Sequence, residues 1–274
     1  MKKSIWEESV VLITGGGSGI GREFAVTLAK LGAKVIITDI HPETAANVAV
    51  ECGGNAISSQ LDVSDGKAVN ELINNTFEKY GRLDFLFNNA GIGLSGEAFE
   101  VPVAEWDRII NTNLRGVING VLAAYPLMIN QGFGHIINTA SLAGLGPAPL
   151  LSPYSMTKHA IVGLSISLRI EAVKYGVKVS VLCPGPIETP ILDSKPATHT
   201  HWYPDTRRFL TNLVGPPYPV NLLVEKALRA IEQNKGIIVI PGRARLAWII
   251  GRLSPSLIAK LNYKAVGIER DDRK

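Results

Sequence analysis

Short apolar, β-branched runs alternate along the chain with longer stretches whose apolar residues recur every three or four positions. Runs of the first kind predict buried strands, and stretches of the second kind predict amphipathic helices. The predicted strands are Val10–Ile13, Lys34–Thr38, Ala56–Leu61, Leu83–Phe87, His135–Asn138, Val177–Leu182 and Ile237–Ile240. The predicted helices are Gly19–Leu31, Pro42–Cys52, Asp65–Tyr80, Val103–Gln131, Ser155–Tyr175 and Val220–Asn234.

This alternation predicts right-handed βαβ units. We therefore expect an α/β fold of the Rossmann type, in which a doubly wound, seven-stranded parallel sheet carries helices on both faces. The sequence contains no internal linker and no repeat of fixed period. We expect residues 1–274 to form a single domain. Two regions depart from the alternation, one at about 190–219 and one at about 243–264.

A glycine-rich turn, Thr14-Gly-Gly-Gly-Ser-Gly-Ile-Gly21, follows the first predicted strand. Gly15 permits unusual dihedral angles, Gly19 lets the backbone approach a pyrophosphate, and Gly21 allows the helix to pack closely on the strand. The helix that follows begins with free N–H groups and a positive dipole end, where a phosphate is stabilised. An ordinary βα turn can carry similar glycines, but the position directly after the first strand favours dinucleotide binding.

Asp39 closes the second predicted strand, about 20 residues beyond the glycine turn, where an acidic residue accepts hydrogen bonds from the adenosine ribose. Its carboxylate would repel a 2′-phosphate. Ile40 and His41 place no arginine beside it, and Ser18 stands where a basic residue could have met that phosphate. The sequence therefore favours NAD over NADP. The alternative is that Asp39 caps the helix that begins at Pro42, and one aspartate could serve both purposes.

Tyr154 and Lys158 lie four residues apart in a predicted helix, so their side chains share a face. A phenol has an ordinary pKa of about 10 and is a poor base at neutral pH. A nearby ammonium group favours the phenolate, so we expect Lys158 to lower the pKa of Tyr154 and make it a useful acid or base. Lys158 could also bind a cofactor ribose. The alternative is a surface Tyr/Lys pair.

Ser141 follows the predicted strand around 134–140, at the end of a parallel strand where ligands bind. Its hydroxyl could hydrogen-bond the substrate oxygen, or it could simply cap a helix. Asn113 lies within the predicted helix Val103–Gln131. Its amide could orient water or a backbone carbonyl in a proton relay, or it could be a solvated surface residue.

Together these motifs resemble the classical short-chain dehydrogenase/reductase (SDR) family. The matching segments are Thr14–Gly21, Asp62-Val63, Asn88–Gly91, Asn113, Ser141, Tyr154–Lys158 and Pro184–Thr189. The resemblance implies a single NAD(P)-binding domain with the catalytic tetrad Asn113, Ser141, Tyr154 and Lys158, in which Asn113 links Lys158 to solvent. The expected cofactor-binding residues are Gly15, Gly17, Ser18, Gly19, Ile20, Gly21, Asp39, Ile40, Asp62, Val63, Asn89, Ala90, Gly91, Tyr154, Lys158, Pro184, Gly185, Ile187 and Thr189.

The resemblance implies reversible hydride transfer between NAD and a secondary alcohol or ketone. Two alternatives are a 3-oxoacyl or small-alcohol reductase of the same family and a non-enzymatic NAD-binding redox sensor. The extended epimerases and the enoyl reductases of the superfamily are disfavoured because their glycine spacing and their Tyr-to-Lys spacing differ from those here. The resemblance also implies a homotetramer or homodimer that uses the helices Val103–Gln131 and Ser155–Tyr175.

Composition and charge limit the kinds of binding partner and the cellular location that we expect. The net charge is +4 and no long Lys/Arg block occurs, so we expect no nucleic-acid binding. The two cysteines, Cys52 and Cys183, do not make a disulfide framework and are interpreted as reduced thiols. Met1-Lys2-Lys3 is followed by no apolar signal core, and no run of about 18 apolar residues occurs. We therefore expect a cytoplasmic protein.

The region 190–219 is expected to fold over the substrate as a lid, because it is long and carries Trp202, Tyr203 and Phe209. His199 and His201 lack a third ligand, so we interpret them as loop residues and expect no metal site. The region 243–264 mixes apolar with basic residues, and Pro255 predicts two short helices.

That C-terminal region could cover the substrate pocket, pack against a partner subunit or lie on an anionic membrane surface. Packing within the protein or an oligomer is favoured, because the proline interrupts any continuous amphipathic face. With the lid, the region favours an apolar substrate such as a steroid or another lipid-like alcohol.

Overall fold

The computed structural model describes residues 4–195 and 202–271. Within these ranges seven parallel strands form one sheet in the order β3-β2-β1-β4-β5-β6-β7. The strands are β1 (Val10–Thr14), β2 (Lys34–Asp39), β3 (Ala56–Gln60), β4 (Phe85–Asn88), β5 (Gly134–Thr139), β6 (Val177–Pro184) and β7 (Ile237–Ile240). The predicted fold class is confirmed, and each predicted strand overlaps its observed counterpart with ends shifted by at most two residues.

The helices connect successive strands and extend beyond the last one. They are α1 (Gly19–Lys30), α2 (Pro42–Cys52), α3 (Gly66–Tyr80), α4 (Val103–Ile109), α5 (Gly116–Gln131), α6 (Ser152–Ala172), α7 (Thr206–Val214), α8 (Val220–Glu232), α9 (Gly242–Leu253) and α10 (Pro255–Asp271). None of the helices in the described ranges is long and apolar enough to cross a membrane.

The core lies on both faces of the sheet, which explains why the strands are apolar at successive positions. In β1, Val11 and Ile13 pack into the cluster that α1, α2 and α8 cover, whereas Val10 and Leu12 pack into the cluster that α3, α5 and α6 cover. All four side chains are buried. The central strand is therefore covered on both sides, and its carboxyl end is left as the place where a ligand can approach.

The predicted helix Val103–Gln131 is helical throughout but is not one α-helix. A π-helical segment, Ile110–Arg115, separates α4 from α5. A π-helical insertion is rare and is found frequently at functional sites. The predicted start of α6 at Ser155 is also wrong, because the helix begins at Ser152 with Pro153 in its first turn, where proline favours helix initiation.

Exposed apolar side chains remain on α5 and α6, the helices for which the sequence predicts subunit contacts. They are Leu122, Met156, Ile166 and Ile170, and Val173 follows directly after α6. Self-assembly through these helices stays a prediction.

A buried polar chain crosses the sheet beside α5. Asn88 Nδ2 donates to Asn138 Oδ1 at 2.9 Å, and Asn138 Nδ2 donates to Ser165 Oγ at 2.9 Å. Asn88 also faces Gly120 of α5 so closely that a Cβ at Gly120 would overlap Asn88 Oδ1. A glycine is therefore required where this helix crosses the end of β4.

Replacing Gly120 by Ala should destabilise the protein. The added methyl group must displace a buried, hydrogen-bonded amide, and overpacking of this kind costs about 1–3 kcal/mol. We expect a lower midpoint of thermal unfolding, measured by circular dichroism. Gly267→Ala in α10 is the matched control, because a Cβ there meets no atom within 4 Å. That control should be neutral or stabilising by up to about 1 kcal/mol. Equal effects of the two substitutions would contradict the packing argument.

Candidate active site

A single cleft of about 1340 Å³ runs along the carboxyl ends of the strands and contains most of the predicted site residues. Those that line it are Gly15, Ser18, Gly19, Ile20, Asp39, Ile40, Asp62, Val63, Asn89, Ala90, Gly91, Ser141, Tyr154, Lys158, Pro184, Gly185, Ile187 and Thr189. Gly17, Gly21 and Asn113 are not among the lining residues. The cleft therefore joins the glycine turn at one end to the Ser, Tyr and Lys side chains at the other.

The glycine turn brings the first turn of α1 close to the end of β1. A Cβ at Gly21 would overlap the carbonyl oxygen of Gly15, so no larger residue fits there. Gly15 and Gly19 adopt positive φ angles of 63° and 53°. No acidic side chain lies in the first turn of α1, and Ser18 makes no capping hydrogen bond with its side chain. The positive end of the helix is thus open toward the cleft and fits a phosphate.

Asp39 is held beside this turn. The backbone N–H of Gly17 donates to Asp39 Oδ2 at 3.0 Å, and the backbone N–H of His41 donates to Oδ1 at 3.1 Å. The cap position of α2 is occupied by His41, so the alternative interpretation of Asp39 as the cap of that helix is wrong. The carboxylate lines the cleft at the end of β2, a position that fits the two hydroxyls of a ribose.

The segment after β4 is tied to the end of β1 by Thr14. Its Oγ1 accepts hydrogen bonds from the backbone N–H groups of Asn89 and Ala90, both at 3.0 Å. Asn89 Nδ2 in turn donates to the carbonyl oxygens of Thr14 at 3.1 Å and Gly15 at 3.2 Å. Thr14 had no assigned role in the sequence analysis. Its role could have been inferred from the sequence, because its hydroxyl side chain lies between an apolar strand and the glycine turn.

The segment after β3 lines the adjoining part of the cleft. Asp62 Oδ1 accepts from the backbone N–H and the hydroxyl of Ser64, at 2.9 and 2.7 Å. The carbonyl oxygen of Val63 accepts from Asn119 Nδ2 at 2.8 Å. A Cβ at Gly116 would lie 2.6 Å from a methyl carbon of Val63, so α5 approaches this segment closely.

Tyr154 and Lys158 project from the beginning of α6, and Ser141 lies just after β5. The Ser141 hydroxyl faces the Tyr154 phenol closely enough to lower its pKa, and Ser141 Oγ accepts from the backbone N–H of Ala143 at 3.1 Å. Lys158 Nζ lies 5.4 Å from the centre of the Tyr154 ring and donates to the carbonyl oxygen of Thr139 at 2.9 Å. The three side chains meet at the wall of one cleft, where a hydroxyl or carbonyl oxygen of a ligand could contact the Ser141 and Tyr154 hydroxyls.

Burial controls the protonation of these groups. It raises the pKa of Tyr154 above its ordinary value, and the hydrogen bond with Ser141 opposes that shift. Burial also lowers the pKa of Lys158 to about 8, and Cys183 opposes that shift. The expectation that Lys158 gives Tyr154 a lowered pKa is therefore wrong for this structure. At neutral pH the pair consists of a phenol and an ammonium group, an arrangement suited to proton donation.

Asn113 is fully buried in the π-helical segment. Its Oδ1 accepts from the backbone N–H of Ile92 at 2.8 Å, and its Nδ2 donates to the carbonyl oxygen of Ile92 at 3.0 Å. Asn113 thus holds the segment after β4 against the π-helical segment, and its Nδ2 also donates to Thr157 Oγ1 of α6 at 3.4 Å. A Cβ at Gly91 would lie 3.4 Å from Lys158 Nζ, which shows how closely that segment passes the ammonium group. A relay from Lys158 to solvent through Asn113 stays a prediction.

The segment after β6 closes the cleft opposite the glycine turn. Thr189 is buried, and its Oγ1 donates to the carbonyl oxygen of Ile187 at 3.2 Å. A Cβ at Gly19 would lie 3.3 Å from the Thr189 methyl carbon, so the two turns nearly touch. The backbone N–H of Gly185 donates to the carbonyl oxygen of Ile240 at 2.8 Å, which fixes this segment to β7.

The remaining wall of the cleft comes from α7, α9 and α10 and is mostly apolar, with Thr206, Asn212, Arg252, Asn262 and Lys264 as its polar members. Its large apolar side chains are Phe209, Leu210, Leu213, Trp248, Ile250, Leu257, Ile258, Leu261 and Ile268. The predicted lid therefore contains a helix, α7, which lines the cleft. The C-terminal region also forms two helices, but α10 extends well beyond the predicted end, to Asp271. His199 and His201 lie outside the described residues. Within the described residues, no group of three or more side chains could hold a metal ion.

Ion pairs connect these wall helices to one another and to the sheet. Arg207 of α7 pairs with Glu188 at 2.7 Å and with Asp193 at 2.8 Å. Arg208 pairs with Glu269 of α10 at 2.9 Å. The next residue of α10, Arg270, pairs with Glu97 in the segment after β4. These ion pairs thus attach α7 and α10 to each other and to the segments that follow β4 and β6.

Comparisons with known proteins agree with this geometry. Residues 9–200 match the family model described as short chain dehydrogenase. Levodione reductase of Leifsonia aquatica is 38% identical over 193 residues, which cover 68% of this chain and 72% of that protein. The probable oxidoreductase EphD of Mycobacterium tuberculosis is 39% identical over 189 residues. These cover 68% of this chain and 32% of EphD, so the chain spans about a third of the length of that relative.

A solved structure is similar over nearly the whole length of both proteins. It is a short chain dehydrogenase/reductase from Burkholderia phymatum in complex with NAD, with a TM-score of 0.83 and 30% sequence identity. The similarity covers 94% of this chain and 96% of that one. The match to the family model ends at residue 200, before α7 begins, so the apolar wall lies outside the matched segment.

The lowered pKa of Lys158 predicts how stability depends on pH. Its buried ammonium group destabilises the fold fully below a pH of about 8, and this penalty disappears as the pH rises toward the ordinary value of 10.5. From neutral pH to about 10, the free energy of unfolding of the wild type should rise by about 2 kcal/mol relative to that of Lys158→Met. Urea unfolding at each pH measures this difference.

Lys67→Met is the matched control for that experiment. Lys67 is exposed on α3, so its removal should leave the pH dependence of stability unchanged. A wild-type profile parallel to that of Lys158→Met would contradict the buried-ammonium argument.

Proposed function

The chain belongs to the short-chain dehydrogenase family and is an oxidoreductase, and on this premise we propose that it interconverts a ketone and a secondary alcohol with NAD. The observation that carries the proposal is the single cleft. It joins an open helix N-terminus and the Asp39 carboxylate to the neighbouring Ser141 and Tyr154 hydroxyls. A redox sensor needs the helix N-terminus and the Asp39 carboxylate to bind the dinucleotide, but it does not need the Ser141 and Tyr154 hydroxyls.

When bound, the nicotinamide ring supplies or accepts the hydride. The chain's own groups position the substrate oxygen and manage its proton. Ser141 and Tyr154 hydrogen-bond the carbonyl oxygen, and Tyr154 gives it the phenolic proton during reduction. The Lys158 ammonium group, held by the Thr139 carbonyl, stabilises the phenolate that remains. In the oxidative direction the same phenolate takes the proton back from the alcohol.

The preference for NAD is supported by charge. The Asp39 carboxylate stands at the end of β2, where a 2′-phosphate would be repelled. The neighbouring Ile40 is exposed and lines the cleft, so no arginine side chain compensates at that position. The similar structure from Burkholderia phymatum contains NAD.

An apolar substrate is supported by the wall of α7, α9 and α10. Most of its large side chains are apolar, and Arg207, Arg208 and Arg270, which pair with carboxylates, do not line the cleft, although Arg252 and Lys264 do. We propose a bulky, steroid- or lipid-like alcohol or ketone. A 3-oxoacyl thioester or a small ketone is the alternative, and the apolar wall favours the larger substrate because a small one would leave much of that surface in contact with water.

The test follows NADH oxidation with ketosteroids, long-chain ketones, a 3-oxoacyl thioester and small ketones. We expect the highest kcat/KM with a bulky apolar ketone. Tyr154→Phe should lower kcat by at least about 100-fold, because it removes the proton donor. NADH binding, measured by fluorescence, should persist in the variant, since the glycine turn, Asp39 and Lys158 remain to hold the dinucleotide.

Tyr263→Phe is the matched control, because Tyr263 is 83% exposed on α10 and does not line the cleft. It should retain activity. NADH binding without turnover of any ketone, and with Tyr154→Phe indistinguishable from the wild type, would reject the enzyme and favour the sensor.

Cofactor preference can be changed at two adjacent positions. Replacing Asp39 by Ser removes the repelling carboxylate, and Ile40→Arg adds a cation beside it. The ratio of kcat/KM for NADH to that for NADPH should fall by roughly 100-fold in the double variant, because repulsion between like charges costs several kcal/mol. Ile40→Arg alone should shift the ratio less, since the carboxylate remains. An unchanged ratio in the double variant would show that Asp39 does not select the cofactor.

A further inference from the structure

The outer side of α9 carries an apolar stripe that nothing in the described chain covers. Leu246, Ile249 and Leu253 lie at positions i, i+3 and i+7, so they share one face of the helix. They are 58%, 42% and 81% exposed. None of the three lines the cleft, whereas Trp248 and Ile250 of the same helix do. The helix therefore presents one apolar face to the cleft and a second apolar face to solvent.

Positive charge is concentrated around this stripe. Residues 242–271 contain six basic and two acidic side chains, an excess of four positive charges that equals the net charge of the whole chain. Arg245 and Arg252 directly precede Leu246 and Leu253. Within the described ranges, Arg245, Arg252 and Lys260 form no ion pair. The helix pair α9–α10 thus combines exposed apolar side chains with uncompensated cations.

The combination of exposed apolar side chains and unpaired cations indicates which kind of surface can bind α9–α10. A second copy of the chain would bring two positively charged segments together, and the like charges would oppose that contact. An anionic bilayer satisfies both features, because its headgroups attract arginine and lysine while its interface accepts leucine and isoleucine side chains. Long basic side chains flanking an apolar stripe can keep their charges at the headgroup level while the stripe enters the interface.

We propose that α9–α10 docks the protein onto an anionic lipid surface, with Leu246, Ile249 and Leu253 inserted and the basic side chains around them at the phosphate groups. Pro255 does not prevent this contact, since α9 alone carries the stripe. Docking does not depend on the proposed reaction. If that reaction holds, the same two helices form the substrate wall, so an apolar substrate could enter from the lipid layer without crossing water.

Vesicle flotation tests the docking with the full-length protein. Wild-type protein should float with vesicles of phosphatidylcholine mixed with phosphatidylglycerol, and not with vesicles of phosphatidylcholine alone. Binding should weaken at high salt, which screens the attraction. Arg245→Gln combined with Lys260→Gln should weaken binding by more than about tenfold, since each basic residue near an anionic surface contributes roughly fivefold. Ile249→Ser combined with Leu253→Ser should weaken it comparably by removing the inserted groups.

Two control variants test whether binding requires this particular surface or any exposed charged or apolar side chain. Lys67→Gln with Lys226→Gln removes two exposed cations elsewhere, and Val50→Ser removes an apolar side chain that is 82% exposed on α2. Both should bind like the wild type. None of the substituted residues lines the cleft, so every variant should turn over a water-soluble ketone like the wild type. That turnover shows, independently of flotation, that the variant is folded.

Two results would overturn the proposal. One is the absence of flotation with anionic vesicles for the wild type. The other is flotation that the Ile249/Leu253 variant retains at wild-type strength. If the wild type does not float and that variant also changes the oligomeric state in sedimentation velocity, the stripe covers a second copy instead. If flotation is absent but ketone turnover is intact, the docking proposal fails and the proposed function is unaffected. If turnover is absent but flotation occurs, the proposed function fails and the docking proposal is unaffected.

Discussion

The buried ammonium group of Lys158 is the constraint around which the site is arranged. Its hydrogen bond to the Thr139 carbonyl joins the start of α6 to the end of β5, so the tyrosine one turn earlier is fixed relative to Ser141. Gly91 passes close to this group, since a Cβ there would lie 3.4 Å from Lys158 Nζ and 3.3 Å from Asn113 Oδ1. Burial of this charge destabilises the fold, and in the proposed reaction the same charge would stabilise the Tyr154 phenolate.

Much of the fold follows from local pattern. In β1 the apolar residues continue without a polar gap, which is expected when both faces of a central strand are covered. The glycine turn and Asp39 could also be located, since their chemistry depends on spacing along one βαβ unit. The π-helical segment around Asn113 was not predicted. Its sequence has ordinary helical character, and the backbone change accompanies the contact of Asn113 with Ile92, a residue 21 positions earlier.

The pKa of Tyr154 could not be predicted for a related reason. The i, i+4 spacing identifies Lys158 as a neighbour, but burial by distant segments has the largest effect on the pKa of Tyr154 and raises it. The sequence offered the substrate pocket, a partner subunit and an anionic membrane as surfaces for the C-terminal region, and its pattern could not assign individual side chains to them. Both the wall residues and the outer stripe are apolar in the sequence, and only the position of α9 beside the cleft separates them.

The position of the apolar wall in the chain has a consequence for how the protein can diversify. The groups proposed to hold the dinucleotide and to move the proton all precede residue 200, within the segment shared with the family model, whereas α7, α9 and α10 follow it. Under the proposed function, mutations in the last quarter of the gene would change the apolar wall without replacing any of those groups. Selection could then act on the wall while the proposed chemistry is preserved.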